Sequence, residues 1–172
     1  KELTRSQTPI RQVLATAFSS DAKHVLIAGP GGAPKVWNVS DGKEVMTLGD
    51  AGDVVLAAAF APSGGLIATG GRAVHLWNAT TGKHVSLRTA APGKLVRELA
   101  DAGAEVGVLA FSADGASLAA GTSVGTVTVW KIATAKAWNM EGRHAGQVTA
   151  LAFYAKGSRV VSGGADGALK TW

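Results

Sequence analysis

Four tryptophans, Trp37, Trp77, Trp130 and Trp172, each close a short apolar run, and they follow one another at steps of 40, 53 and 42 residues. Four phenylalanines, Phe18, Phe60, Phe111 and Phe153, run in parallel at steps of 42, 51 and 42. Two aromatic landmarks on one period mean that a single unit is written four times, at approximately 1–37, 38–77, 78–130 and 131–172. A unit of that length cannot bury its apolar surface alone. It must stack on its neighbours, in a line or around an axis.

Aligned on the phenylalanines, the blocks are VLATAFSSDAKHVLIAG (13–29), VLAAAFAPSGGLIATG (55–70), VGVLAFSADGASLAAG (106–121) and VTALAFYAKGSRVVSG (148–163). Each is an apolar run, a turn rich in Ser, Asp and Gly, and a second apolar run. Small and β-branched residues occupy both faces of Val106, Val108 and Ala110, and of Val148, Ala150 and Ala152. That is the pattern of a strand covered on both sides by neighbouring sheets. The turn Ser112–Gly115 places a glycine where positive φ is wanted, so the two runs form a hairpin. A third strand ends at each tryptophan (PKVW, AVHLW, TVTVW, ALKTW), with Pro34 at a strand start or bulge. A fourth follows another turn, in Asp41–Leu48 and its counterpart Pro92–Leu99. Four strands in a unit of about 42 residues leave no room for helices. The expected fold is all-β, with four four-stranded antiparallel sheets in a radial array.

These blocks resemble WD40 repeats, whose units form the blades of a β-propeller, and the resemblance covers nearly the whole chain. The fullest match is RHAGQVTALAFYAKGSRVVSGGADGALKTW (143–172). The resemblance implies a hydrogen-bonded tetrad of His144, Ser162, Asp166 and Trp172, in which buried imidazole and indole groups find partners. It also implies that protein partners meet the rim just before the first strand of each blade and in the turn between the second and third. The matching positions are Gln12, Val54, Glu105 and Gln147, with Pro30, Arg72 and Ser123 in the turns. Arg72 is the first candidate anchor, because arginine is enriched at interface hot spots.

The other repeats depart from the tetrad. Asp50-Ala51 and Asp101-Ala102 stand where Arg143-His144 do, the second repeat shortens its turn to GGRAV (70–74), and Val124 replaces Asp166. Packing is therefore expected to hold three blades without it. The 53-residue step carries an 11-residue insertion within 78–92, centred on GKHVSLRTAAP (82–92). Insertions of this kind fall in loops on one face of a repeat array.

Nothing in the pattern nominates catalytic chemistry. Gly121–Gly125 fits G-x-S-x-G, but it falls in a strand-to-strand turn, where a hydrolase elbow needs a strand-turn-helix. The GK pairs at Gly42, Gly82 and Gly93 lack the Ser or Thr of a phosphate loop. The four histidines never pair at ligand spacing, and cysteine is absent, so neither metal nor cofactor is expected. The formal charge of +5 is scattered rather than gathered on one face, and no apolar run is long enough to span a membrane as a helix. The partner expected is thus a protein or peptide, with no nucleic acid and no membrane. The compartment is open, cytoplasmic by default.

Four blades are fewer than the seven or eight of such rings, and an open arc exposes an apolar face at each end. KELTRSQ (1–7) aligns with an outer strand, so the N-terminus of one copy is expected to complete the final blade of another. Two copies then close an eight-bladed homodimeric ring, each chain contributing half. The competing expectation is a piece or regulatory segment of a larger enzyme or sensor, as the initial Lys1 also suggests; a self-closed four-bladed ring is third.

Overall fold

The computed structural model describes residues 10–49, 51, 54–83, 87–88, 95–96 and 104–172. The first sheet is β1 (Ala15–Phe18), β2 (His24–Ala28), β3 (Lys35–Asn38) and β4 (Glu44–Thr47), antiparallel and in chain order. The second is β5 (Ala57–Phe60), β6 (Leu66–Gly70) and β7 (Val74–Asn78). A two-stranded ladder of β8 (Leu87–Arg88) and β9 (Leu95–Val96) follows. The third sheet is β10 (Val106–Phe111), β11 (Ser117–Thr122), β12 (Val127–Lys131) and β13 (Lys136–Asn139). The fourth is β14 (Val148–Tyr154), β15 (Arg159–Gly164) and β16 (Leu169–Thr171).

The fold is all-β, as the repeat pattern requires, but the sheets are not uniform. Two have four strands and two have three among the described residues. Within the expected strand Pro92–Leu99, β9 pairs with β8 rather than with the edge of its sheet. Most of that run, most of the insertion 82–92 and all of the N-terminal segment 1–7 lie outside the described residues. Pro34 directly precedes β3, its carbonyl accepts the Leu48 N–H at 2.9 Å, and the β3–β4 register shifts between Val36 and Trp37.

The registers explain the aromatic landmarks. Phe18 lies opposite Val25 and Val25 opposite Trp37; Phe60, Ile67 and Trp77 form the same row, as do Phe111, Leu118 and Trp130. Phe153 faces Val160, which exchanges backbone hydrogen bonds with Trp172 at 2.8 and 3.1 Å. Opposed residues project to one face, so every sheet has an aromatic face and, behind it, a face of small and β-branched residues.

The aromatic faces of the second, third and fourth sheets each pack on the small face of the sheet before. Ile67, Trp77 and Phe60 meet Leu26, Val36 and Leu48; Leu118, Trp130 and Phe111 meet Ala68, Val74 and Leu76. Val160, Phe153 and Trp172 meet Ala119, Val127 and Val129. The inner strands stack in series, β1 on β5, β5 on β10 and β10 on β14. Three cores serve the three interfaces between four sheets, and among the described residues no core joins the fourth sheet to the first. The described residues form an open arc and not a self-closed ring of four.

Candidate functional site

The fourth sheet holds a buried polar chain assembled from four local elements. His144 lies in the segment entering β14, Ser162 on β15, Asp166 in the turn to β16 and Trp172 directly after β16. Trp172 Nε1–H donates to Ser162 Oγ at 2.9 Å, and Ser162 Oγ stands 2.8 Å from His144 Nε2. His144 Nδ1 stands 2.9 Å from Asp166 Oδ1. With the imidazole proton on Nδ1, each donor meets one acceptor: indole to hydroxyl, hydroxyl to Nε2, Nδ1–H to carboxylate. Asp166 also accepts the N–H groups of Ala145 at 2.9 Å and Ala168 at 3.1 Å. The Ala145 N–H, then the His144 ring, hold its carboxyl at a pKa of about 2, below the ordinary 3.8. One carboxylate thereby ties the entry segment of the blade to its own turn.

This chain has the distances of a Ser-His-Asp triad, but its environment gives it another role. Ser162 and His144 are each 1% exposed, and the serine already carries the Trp172 donor. A nucleophile must reach a substrate carbonyl with its oxyanion donors alongside. Ser162 is a strut. Ser123, the serine of the G-x-S-x-G pattern, is exposed in the β11–β12 turn, a connection between strands.

The registers also show what the other sheets put at the hydroxyl position. Thr69 occupies it in the second sheet, and Trp77 Nε1–H donates to Thr69 Oγ1 at 2.9 Å, wholly buried. Packing therefore does not hold that sheet alone: half of the polar chain survives there. Ala120 and Ile27 occupy it in the third and first sheets, and the buried Nε1 atoms of Trp130 and Trp37 have no partner.

The rim lies at the end of the sheets where β2–β3, β6–β7, β11–β12 and β15–β16 turn. Ser123 N–H donates to the Glu105 carbonyl at 2.8 Å, and Ala165 N–H to that of Gln147 at 2.8 Å, so the turns of the third and fourth sheets are tied to the segments entering those sheets. Two further bonds cross between sheets, Val106 N–H to the Gly71 carbonyl at 2.7 Å and His144 N–H to the Gly125 carbonyl at 2.9 Å. Gln12, Arg72, Glu105, Ser123 and Gln147 are exposed on this rim, whereas Pro30 and Val54 are half-buried. A shallow cavity of about 450 Å³ opens there, lined by Val124, Arg143, His144 and Ala145.

Sequence reasoning missed a second cavity, of about 490 Å³, between the first two sheets at the opposite end. Val36, Met46 and Phe60 give it apolar walls, and Asp21, His24 and Thr80 lie at its edge. Its residues come from five separated segments, and nothing in a single sequence links them. Among the described residues no three metal-binding side chains are gathered together, and no helix is long and apolar enough to cross a membrane.

Comparison with known proteins agrees with the architecture. A family model described as nucleolar protein 10-like, N-terminal domain, a β-propeller domain, matches residues 5–172. No curated protein matches the chain. Among solved structures, the computationally designed Ika4 protein superposes with a TM-score of 0.77 at 27% identity. The alignment covers 100% of this chain and 97% of that one.

Proposed function

The chain belongs to the nucleolar protein 10-like N-terminal β-propeller family, and from that premise we propose that it is a non-catalytic scaffold for protein or peptide recognition. The observation that carries this reading is the rim. Exposed Glu105, Ser123 and Gln147 project from backbone that is itself hydrogen-bonded, Arg72 follows the bonded Gly71, and exposed Gln12 lies on the same rim. A preorganised surface of this kind loses little entropy on binding. Arg72 and Glu105 give it one charge of each sign, suited to an extended peptide carrying both.

Selection from a displayed peptide library tests the reading. Peptides enriched on the wild-type protein should bind Arg72→Ala and Glu105→Gln at least tenfold more weakly, with unchanged circular dichroism. Selected peptides that ignore every rim substitution would overturn it.

The assembly we propose is a homodimer, in which two arcs close one eight-bladed ring and residues 1–7 of each copy supply an outer strand to the last sheet of the other. A second reading rests on the family description, which is of an N-terminal domain: the propeller would then serve as a regulatory or scaffold segment of a larger protein. The same description makes the nucleolus the compartment to test ahead of the cytoplasmic default, by imaging a tagged chain.

A further inference from the structure

The internal interfaces show what covers each face of a sheet; among the described residues both outermost faces leave exposed several groups that such cover would bury, although Trp37 on the outer face of the first sheet is itself buried. At the interface of the second and third sheets, Val106 fills the place that a side chain on Gly70 would take. A Cβ built on Gly70 would lie 2.7 Å from Val106 Cγ1. One interface further on, a Cβ on Gly121 would lie 2.5 Å from Val148 Cγ1. Both valines are fully buried. At two of the three interfaces, then, a valine at the entry of one sheet is seated on a glycine in the second strand of the sheet before it; at the first, Val55 shares its core with Ala28 at the glycine position.

The two ends of the arc carry the unmatched halves of this joint. Val13 stands in the first sheet where Val106 and Val148 stand in theirs, and it is 44% exposed. Gly163 stands in the fourth sheet where Gly70 and Gly121 stand, and a Cβ there would meet only Ala150 of its own sheet, at 3.7 Å. The surroundings repeat the asymmetry. Leu169, at the position of buried Val74 and Val127, is 72% exposed, and Phe18 is 63% exposed. Gly167 keeps the left-handed φ of Gly125, +73° against +88°. Around Gly125 the backbone of the next entry segment, at Gly146 and His144, leaves no room for a side chain; around Gly167 nothing lies within 4 Å.

We infer that Val13 of a second copy seats on Gly163, with its entry segment against Gly167, so that the junction between copies is a head-to-tail repeat of the internal blade interface. This rests on the reading that a second copy closes the arc, and it specifies which face meets which. Burial of the exposed Leu169 and Phe18 against a matching apolar face supplies the driving force. The orientation also places the exposed Gln12 of one copy beside the Asp166–Gly167 turn of the other. The partner copy thus contributes a residue to the rim at the junction.

Two substitutions that block opposite halves of the joint test the inference, read as absolute mass across a dilution series. Gly163→Val fills the seat with little strain in its own sheet, because Gly163 lacks a positive φ and its Cβ space is open. Val13→Lys places a charge on the knob. Each variant alone is expected to weaken dimerisation at least tenfold while keeping the wild-type circular dichroism. An equimolar mixture of the two should recover a dimer, because one of its two junctions then joins unmodified faces. Loss of dimer in one variant only, or a mixture that stays monomeric, would overturn the head-to-tail seat while leaving dimerisation itself standing. A monomeric wild-type chain would remove the closure reading beneath it.

Discussion

The third and fourth sheets share the register and aromatic rows of their first three strands, yet they treat their tryptophans in opposite ways. In the fourth, Trp172, Ser162, His144 and Asp166 form a chain in which every polar group has a partner. In the third, Trp130 is equally central to its core, and its Nε1–H is buried without one, because Ala120 stands where Ser162 does. The difference teaches that the polar chain is an addition to the blade and not a condition for it. Burial of indole, leucine and valine is sufficient to hold the third sheet, at the continuing cost of an unsatisfied donor. The second sheet is intermediate: it keeps the Thr69–Trp77 bond without the His and Asp.

The sharpest way to break the contrast is Ser162→Ala. It strands both Trp172 Nε1–H and the Nε2 of buried His144, and should cost about 3 kcal/mol in urea unfolding. Thr69→Val strands a single donor and should cost about half as much, near 1.5 kcal/mol. Equal losses in the two variants would mean that the His144–Asp166 half adds nothing.

Acid titration isolates that half. Asp166 has its folded pKa depressed to about 2, so its contribution is complete above the ordinary carboxylate value of 3.8 and is lost as pH falls from there towards 2. Asp166→Asn should flatten the stability profile across that window. A wild-type profile unchanged by the substitution would place the carboxylate outside the network's energetics.

The reverse experiment is gentler. Ala120→Ser offers Trp130 the acceptor it lacks and should add about 1 kcal/mol, seen as a higher urea midpoint at constant slope. The smallest effect concerns the hairpin before the fourth strands. Gly42 and Gly82 adopt φ of 64° and 66° there, whereas Ala135 holds 52° with a side chain. Ala135→Gly should relieve this strain and stabilise the third sheet by about 0.5–1 kcal/mol.

Much of this was legible in the sequence because it depends on local pattern. The aromatic period marks the rows, the Ser-Asp-Gly turns mark the hairpins, and the tetrad stands at fixed offsets around Trp172. What escaped depends on register. Matching the blocks by their final glycines sets Gly29 beside Gly70. The strand pairing instead sets Val25 beside Ile67, and so Gly29 beside Gly71. Glycine recurs at both positions, so the spacing alone could not choose between them, and Ile27 as the residue replacing Ser162 went unseen. β13 was expected from the four-stranded unit but not placed along the chain, because Ala135 replaces the glycine that marks the equivalent turns. The unmatched joint at Val13 and Gly163 needs coordinates, because it is defined by which neighbours are missing.

The central claim is an open arc of four blades whose two end faces fit each other. Absolute mass by light scattering on a sizing column, followed across a dilution series, tests it most directly. The account predicts a species of twice 17.3 kDa that survives dilution. A compact monomer with both apolar faces in water would contradict it.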